Sequence, residues 1–217
     1  MNARTERRQL PGPVGTLEVA VDQPDGTPRG LALICHPHPL HGGTLDNKVV
    51  QTLARAAVQQ GYTAVRLNFR GVGASTGSWD EGRGEVDDAQ AVLAALHTPD
   101  QPLLLAGFSF GAAMAAQLAA RRVLAGQAAA PLVLVGPAVQ NFSVPPLPAG
   151  SLVVHGEQDD VVPLAAVLDW ARPQGLPVTV VPGAGHFFHG QLPLLKQLVV
   201  DAMTVFAVRA AALNPSR

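Results

Sequence analysis

Three short segments of the sequence carry a nucleophile, an acid and a base. Ser109 lies at the centre of GFSFG (residues 107–111), between an apolar run and a run rich in small residues. A G-x-S-x-G turn between a strand and a helix strains the serine backbone and lifts its hydroxyl out of the strand. The hydroxyl then lies beside the free N–H groups of the helix N-terminus. This context predicts a serine that attacks an acyl group.

The acid and the base that this serine needs follow it in the order that strand–helix folds with such a turn have. Asp159 lies in HGEQDDVVP after one apolar run, and His186 lies in GAGHFFH after the next. We expect Asp159 to orient His186, which takes the proton of Ser109. Asp160 and His189 are the alternatives. Asp160 is disfavoured as the acid because it lies nearer the start of a helix, where it could serve as the cap. His189 is disfavoured as the base because we expect it to belong to the start of the last helix.

A second G-x-S-x-G surrounds Ser75, but its context is different. The residues after it, SWDEGRG, are typical of a loop and not of a helix. The preceding NFRG already turns the chain, so no strand leads into the motif. We therefore interpret Ser75 as a loop residue.

The loop after the apolar run 30–35 contains three histidines and the expected oxyanion donors. Because proline has no N–H, His38 offers the first free donor past residue 37, and Phe110, next to the nucleophile, offers the second. The spacing of His36, His38 and His41 is also found in metal sites, but the segment has no nearby acidic or cysteine ligand. We expect no metal here and interpret these histidines as pocket-lining or exposed. The expected pocket walls are Leu40, His41, Phe142 and Phe187.

Composition narrows the class of protein. Of 217 residues, 47% are hydrophobic and 14% charged, and the net charge is −1. We therefore expect no nucleic-acid partner and no membrane partner. The single cysteine, Cys35, excludes an internal disulfide. No apolar segment follows the basic N-terminus, and none approaches the roughly 20 residues of a membrane span, so a cytoplasmic location is predicted.

Strand patterns and helix patterns alternate along the chain. This alternation predicts an α/β fold with a three-layer, doubly wound, mainly parallel sheet. We expect one domain over residues 1–217, with a flexible N-terminal segment over 1–12 and an edge strand over 16–21. The connection 136–150 is rich in proline, which disfavours a lid helix.

The segments CHPHPLHGG, NFRGVGASTG, GFSFGA, HGEQDDVVP and GAGHFFHG together resemble the α/β-hydrolase superfamily, and more narrowly its small lidless bacterial serine hydrolases. The resemblance covers almost the whole chain. It implies an α/β-hydrolase fold without a lid domain. It also implies that Ser109, Asp159 and His186 form the catalytic triad, and that His38 and Phe110 form the oxyanion hole.

The residues and the resemblance together predict a serine hydrolase. Its expected substrate is a small carboxylic ester or thioester, cleaved through an acyl-enzyme on Ser109. No metal and no organic cofactor is expected. A small peptidase or acyltransferase with the same triad, and a non-catalytic binding protein of the same fold, are the alternatives.

Overall fold

A central sheet of eight strands forms the middle layer of the fold. The computed structural model describes residues 5–213. The strands are β1 (Thr5–Gly12), β2 (Gly15–Asp22), β3 (Gly30–Cys35), β4 (Tyr62–Leu67), β5 (Leu103–Phe108), β6 (Leu132–Val135), β7 (Leu152–Gly156) and β8 (Thr179–Val181). Their spatial order is β1-β2-β4-β3-β5-β6-β7-β8. β2 pairs antiparallel with both neighbours, and every other pairing is parallel.

Helices cover both faces of this sheet. They are α1 (Lys48–Gln59), α2 (Arg83–Leu96), α3 (Phe110–Leu124), α4 (Leu164–Ala171) and α5 (Leu192–Leu213). α1 and α5 pack on one face, and α2, α3 and α4 pack on the other. The predicted three-layer, mainly parallel fold is confirmed. No helix within residues 5–213 is both long and apolar enough to cross a membrane.

The central strands are buried on both faces because successive side chains point to opposite sides of the sheet. Leu33 belongs to the core under α2 and α3, and its neighbour Ile34 belongs to the core under α1 and α5. In β5, Leu105 belongs to the core under α2 and α3, and Leu104 belongs to the core under α1 and α5. These continuous apolar runs are the signal from which the sequence predicts the parallel strands.

The N-terminal segment is a strand, so the flexible segment predicted over residues 1–12 is wrong from residue 5 onward, while 1–4 lie outside the described residues. β1 pairs with β2 along its full length and forms the edge of the sheet. The strand predicted over residues 16–21 is present as β2, but it lies inside the sheet and not at its edge. Arg7 holds β1 in place, donating to Glu18 at 2.7 Å and to Asp46 at 2.6 Å. Charged side chains are common on edge strands, so such strands are hard to predict from an apolar sequence pattern.

The connection between β6 and β7 contains no lid. Residues 136–151 form turns and irregular backbone, with no helix in this described segment. Trp170 donates its indole N–H to the carbonyl of Val144 at 2.9 Å, and Leu147 donates its N–H to Gln174 at 3.1 Å. These bonds hold the connection against the body of the protein. Within residues 136–151, no inserted helix covers the carboxyl ends of the parallel strands.

Candidate active site

Ser109 lies in the turn between β5 and α3, as predicted. Its backbone has φ 56° and ψ −117°, a conformation that strains an L-residue. Four backbone hydrogen bonds hold this turn: Ser109 donates its N–H to Val135 at 2.9 Å, and its carbonyl accepts from Ala112 at 3.1 Å, Ala138 at 3.3 Å and Ala113 at 3.4 Å. The surrounding strands thus maintain a geometry that the serine alone would not adopt.

The two flanking glycines permit this turn. A Cβ atom at Gly107 would lie 2.2 Å from the carbonyl oxygen of Gly111. One at Gly111 would lie 2.2 Å from the carbonyl oxygen of Cys35, at the end of β3. Both distances are far inside van der Waals contact, so α3 can approach β5 and β3 only with glycine at these positions.

Asp159 and His186 meet through the loops that follow β7 and β8. Nδ1 of His186 lies 2.7 Å from Oδ2 of Asp159, so Nδ1–H donates to the carboxylate. The other oxygen, Oδ1, accepts the N–H groups of Val161 at 3.0 Å and Val162 at 2.7 Å. Burial acts to raise the pKa of Asp159, but the bonds from His186 and Val162 outweigh it and hold the pKa below its usual value. The carboxylate is therefore charged and fixed in orientation.

Gly136, the residue after β6, lies directly against this pair. A Cβ at Gly136 would lie 3.3 Å from Cε1 of His186 and 3.6 Å from Oδ2 of Asp159. Phe108, which precedes the serine, has its ring centroid 4.8 Å from that of His186. The structure thus brings Ser109, Asp159 and His186 to the carboxyl edge of the parallel strands, where open α/β sheets bind their ligands.

The two alternative residues lie outside this arrangement. Asp160 is exposed, and it does not cap α4, whose N-cap is Pro163. His189 is also exposed and precedes α5, which begins at Leu192. The aspartate that contacts His186 is Asp159.

His155, at the end of β7, is a part of the site to which sequence reasoning assigned no role. The residue is fully buried, and its Nε2 lies 2.9 Å from the carbonyl of Val162 and 3.5 Å from Oδ2 of Asp159. Its Nδ1 is buried without a partner among the residues that the structure describes. Burial lowers the pKa of His155, so the ring is neutral. The signal in the sequence is a histidine that ends an apolar strand.

The two predicted oxyanion residues lie side by side. His38 precedes a short 3₁₀ turn, and its carbonyl accepts from Gly43 at 3.0 Å and from His41 at 3.1 Å. Phe110 is the first residue of α3, so its N–H has no partner within the helix. The rings of His38 and Phe110 lie 5.4 Å apart. This ring contact places the two residues side by side, and their role as oxyanion donors stays a prediction.

An aromatic cluster adjoins these donors. His38 stacks on His41 at 4.4 Å and lies 4.5 Å from Trp79, and Phe142 lies 4.8 Å from Phe110 (centroid distances). Two of the predicted pocket residues, His41 and Phe142, belong to this cluster. Trp79, which is not among the predicted pocket residues, also belongs to the cluster.

The other two predicted pocket residues lie elsewhere. Phe187 contacts His186, with ring centroids 5.1 Å apart, and is 43% exposed. Leu40 is 66% exposed and lies in the turn after His38. The four predicted wall residues therefore do not form one wall. His41 and Phe142 belong to the aromatic cluster, Phe187 lies next to His186, and Leu40 lies in the exposed turn after His38.

His36 is fully buried, so its interpretation as a pocket-lining or exposed residue is wrong, and its role is structural. Its Nδ1 lies 2.6 Å from the carbonyl of Pro37, and its Nε2 accepts the N–H of Phe69 at 3.1 Å. Burial lowers the pKa of His36 to about 4, so the imidazole is neutral. Both ring nitrogens are occupied and neither is available to a metal.

Ser75 also has a structural role. Its hydroxyl donates to the carbonyl of Asn68 at 2.8 Å and accepts the N–H of Glu18 at 2.8 Å. The side chain is buried where the loop after β4 contacts β2. These contacts agree with its interpretation as a loop residue.

Comparison with known proteins relates this architecture to a family. Residues 27–150 match the family model described as serine aminopeptidase, S33. An α/β serine hydrolase homologue from Coxiella burnetii is 45% identical, with a TM-score of 0.81 over 90% of this chain and 96% of that one. An α/β serine hydrolase without a lid from Xanthomonas campestris is 36% identical, with a TM-score of 0.85 over 95% and 96%.

A further relative is known from its sequence. An uncharacterised protein of Rickettsia prowazekii is 36% identical over 206 residues, which cover 88% of this chain and 85% of the relative. The similarity to these proteins thus extends over most of the chain and is not confined to the segment around Ser109. From the family match and these relatives, we conclude that the chain belongs to the α/β-hydrolase superfamily, in the family that the serine aminopeptidase, S33, model describes.

Proposed function

We propose that this protein is a serine hydrolase that cleaves small carboxylic esters or thioesters through an acyl-enzyme on Ser109. The observation that carries the proposal is the 2.7 Å contact between Nδ1 of His186 and Oδ2 of Asp159. This pair lies against Gly136, beside the strained turn that presents the serine. An oriented histidine next to an activated serine is the arrangement that acyl transfer requires.

The reaction then follows in two halves. Nε2 of His186 takes the proton of the Ser109 hydroxyl as the oxygen attacks the carbonyl carbon, and the N–H groups of His38 and Phe110 hold the resulting oxyanion. The tetrahedral intermediate collapses, and His186 gives its proton to the departing alcohol or thiol. Water, deprotonated by His186, then attacks the acyl carbonyl carbon, and collapse of this second tetrahedral intermediate releases the carboxylic acid as His186 returns the proton to the Ser109 oxygen. Asp159 stabilises the imidazolium in both halves.

The surroundings of the site favour small acyl groups. The apolar surface near the serine includes the aromatic cluster and the partly exposed ring of Phe187, which contacts Phe108. The segment 136–151 adds no helix that would enclose a long chain. Each added methylene of the acyl chain strengthens binding by about 0.8 kcal/mol only where the protein offers apolar surface to bury it. We therefore assign short acyl chains to this site.

The family match favours one second candidate, the cleavage of a peptide or amide bond by the same residues. An amine is a poorer leaving group than an alcohol or thiol, so His186 would have to protonate it in the transition state. Rates on matched pairs of ester and amide substrates separate the two candidates.

Labelling with a fluorophosphonate probe, which reacts with activated serines, tests the proposal. The wild-type protein should be labelled, and mass spectrometry should place the adduct on Ser109. Ser109→Ala should abolish labelling and turnover of p-nitrophenyl butyrate, whereas the exposed Ser78→Ala, a matched control, should retain both. Failure to label the wild-type protein would instead support a non-catalytic binding protein. Faster turnover of an aminoacyl p-nitroanilide than of the matched ester would favour the peptidase.

A further inference from the structure

A cavity lies between the C-terminal halves of α2 and α3, far from the candidate active site. Its volume is about 360 Å³, and Gln90, Leu93, His97, Leu118, Arg121 and Arg122 contribute to its lining. At 1.5 Å per helical residue, Arg122 lies about 20 Å along α3 from Ser109. The cavity is therefore a separate feature of the molecule.

The two arginines of this cavity differ in their partners. Arg121 donates to Asp87 and, at 3.2 Å, to Gln90, both on α2. Arg122 has no such partner: its Nε is buried and unbonded among the described residues, and the part of the lining that the structure describes contains no carboxylate. Burial lowers the pKa of the Arg122 guanidinium without a nearby carboxylate to oppose it. One positive charge at this cavity is thus uncompensated.

An uncompensated, partly buried guanidinium favours an anion. Its planar donors match the two oxygens of a carboxylate, which can accept two parallel hydrogen bonds. The charge therefore selects an anionic ligand group.

The remainder of the lining selects an organic ligand. Leu93 and Leu118 are almost fully buried and form apolar surface beside Arg122. Ala94, Pro99, Ala125 and Ala128 extend this apolar surface. The cavity is also far larger than an inorganic ion, and its volume is within the range of pockets that bind small organic molecules.

We propose that the cavity between α2 and α3 binds a small organic carboxylate, with the carboxylate paired to Arg122 and the apolar body packed against Leu93 and Leu118. The proposal does not depend on the chemistry at Ser109. Benzoate is a suitable probe because it combines a carboxylate with a compact apolar ring. Benzyl alcohol has a similar ring without the charge, and inorganic phosphate has charge without an apolar part.

Isothermal titration calorimetry on the full chain tests this assignment. The wild-type protein should bind benzoate saturably, and benzyl alcohol and phosphate at least about tenfold more weakly. Arg122→Met keeps an unbranched apolar stem and removes the guanidinium charge, and should weaken benzoate binding by about tenfold or more. The control Arg172→Met removes an exposed arginine that pairs with Asp169, and should bind as the wild type does.

A second variant keeps the test independent of the folding of Arg122→Met. Ala94→Phe fills the cavity from an exposed helix position and should also prevent benzoate binding, although Arg122 remains. Thermal melting without ligand shows which variants are folded. The proposal is overturned if wild-type protein does not bind benzoate, if benzyl alcohol or phosphate binds as tightly, or if the folded variants bind benzoate unchanged. Unchanged binding would place the benzoate at another site.

Discussion

Nε2 of His155 lies 3.5 Å from Oδ2 of Asp159, the same oxygen that Nδ1 of His186 contacts at 2.7 Å. Two imidazoles therefore face one carboxylate. His155 donates from Nε2 to the carbonyl of Val162, whose own N–H donates to Oδ1 of Asp159. Burial lowers the pKa of His155 and keeps its ring neutral, so His155 does not form an ion pair with the carboxylate of Asp159. His155 thus holds the turn that orients Asp159.

Replacing His155 should slow turnover without weakening substrate binding. We expect His155→Leu to lower kcat by roughly 10- to 100-fold, because the turn that holds Asp159 loses an anchor, while KM changes little. His155→Gln retains a donor near the position of Nε2 and should recover most of the rate. Steady-state kinetics and melting temperatures measure both effects. Equal losses in the two variants would contradict a role for that donor.

Asp159→Asn should lower kcat by a factor on the order of 10⁴, because an amide can donate to Nδ1 of His186 and stabilise the wrong tautomer. The matched change Asp160→Asn alters an exposed carboxylate and should have little effect. Kinetics on a short-chain ester compare the two variants. An inactive Asp160→Asn beside an active Asp159→Asn would move the acid by one residue.

Ser109→Gly should be more stable than the wild-type protein although it is inactive. With φ 56° and ψ −117°, residue 109 is strained, and glycine adopts such a conformation more readily. We expect the free energy of unfolding to rise by about 1 kcal/mol. Ser109→Ala keeps the Cβ atom and should lack this gain. Urea denaturation provides both values, and equal stability of the two variants would show that the turn is not strained.

Stability should fall when the pH drops from about 6.5 toward 4. The pKa of buried His36 is lowered to about 4, so in this range the unfolded chain binds a proton that the folded chain does not. The loss should be on the order of 3 kcal/mol. The lowered pKa of Asp159 acts in the same direction at lower pH.

Urea midpoints at several pH values measure this loss. His36→Gln cannot take up the proton, so its stability should depend less on pH in this range, even if it is less stable at neutral pH. An unchanged pH dependence in this variant would show that His36 does not carry the effect.

The value of kcat/KM on p-nitrophenyl esters should be highest for short acyl chains and fall as the chain lengthens. The described segment 136–151 contains no lid helix to bury a long chain. For the same reason no interfacial activation should appear. A series of esters from acetate to palmitate, assayed below and above the micellar concentration, tests both statements. A preference for palmitate, or a rise in rate at micelles, is the contrary outcome.

The positions of Ser109, Asp159 and His186 could be predicted because each directly follows an apolar strand pattern in a parallel sheet. The contributions of His155 and Gly136 could not, since they arise where different strands approach one another. Their approach to Asp159 and His186 depends on strand order and register, which no local pattern contains.

The partner of Arg70 shows the same limit. From its place in the chain, Arg70 is expected to pair with a nearby acid such as Asp80 or Glu85; it does pair with Asp80 at 4.0 Å, but its shortest ion pair is with Asp88 at 2.7 Å. Glu85 instead accepts the N–H of Gly82 at the start of α2, at 2.8 Å. A carboxylate near a helix start satisfies free N–H groups, so proximity in the sequence does not determine ion pairing.

Because its residues follow β5, β7 and β8, the site has a consequence for the time course of folding. No hairpin or single βαβ unit contains Ser109, Asp159 and His186 together, and Asp159 and His186 alone are 27 residues apart. A partly folded intermediate that lacks the β8 edge therefore contains Ser109, the proposed nucleophile, without His186, its proposed base, in place. During synthesis, enzymatic activity would appear last, after the final strand has docked, and during unfolding it would be lost as soon as that edge detaches.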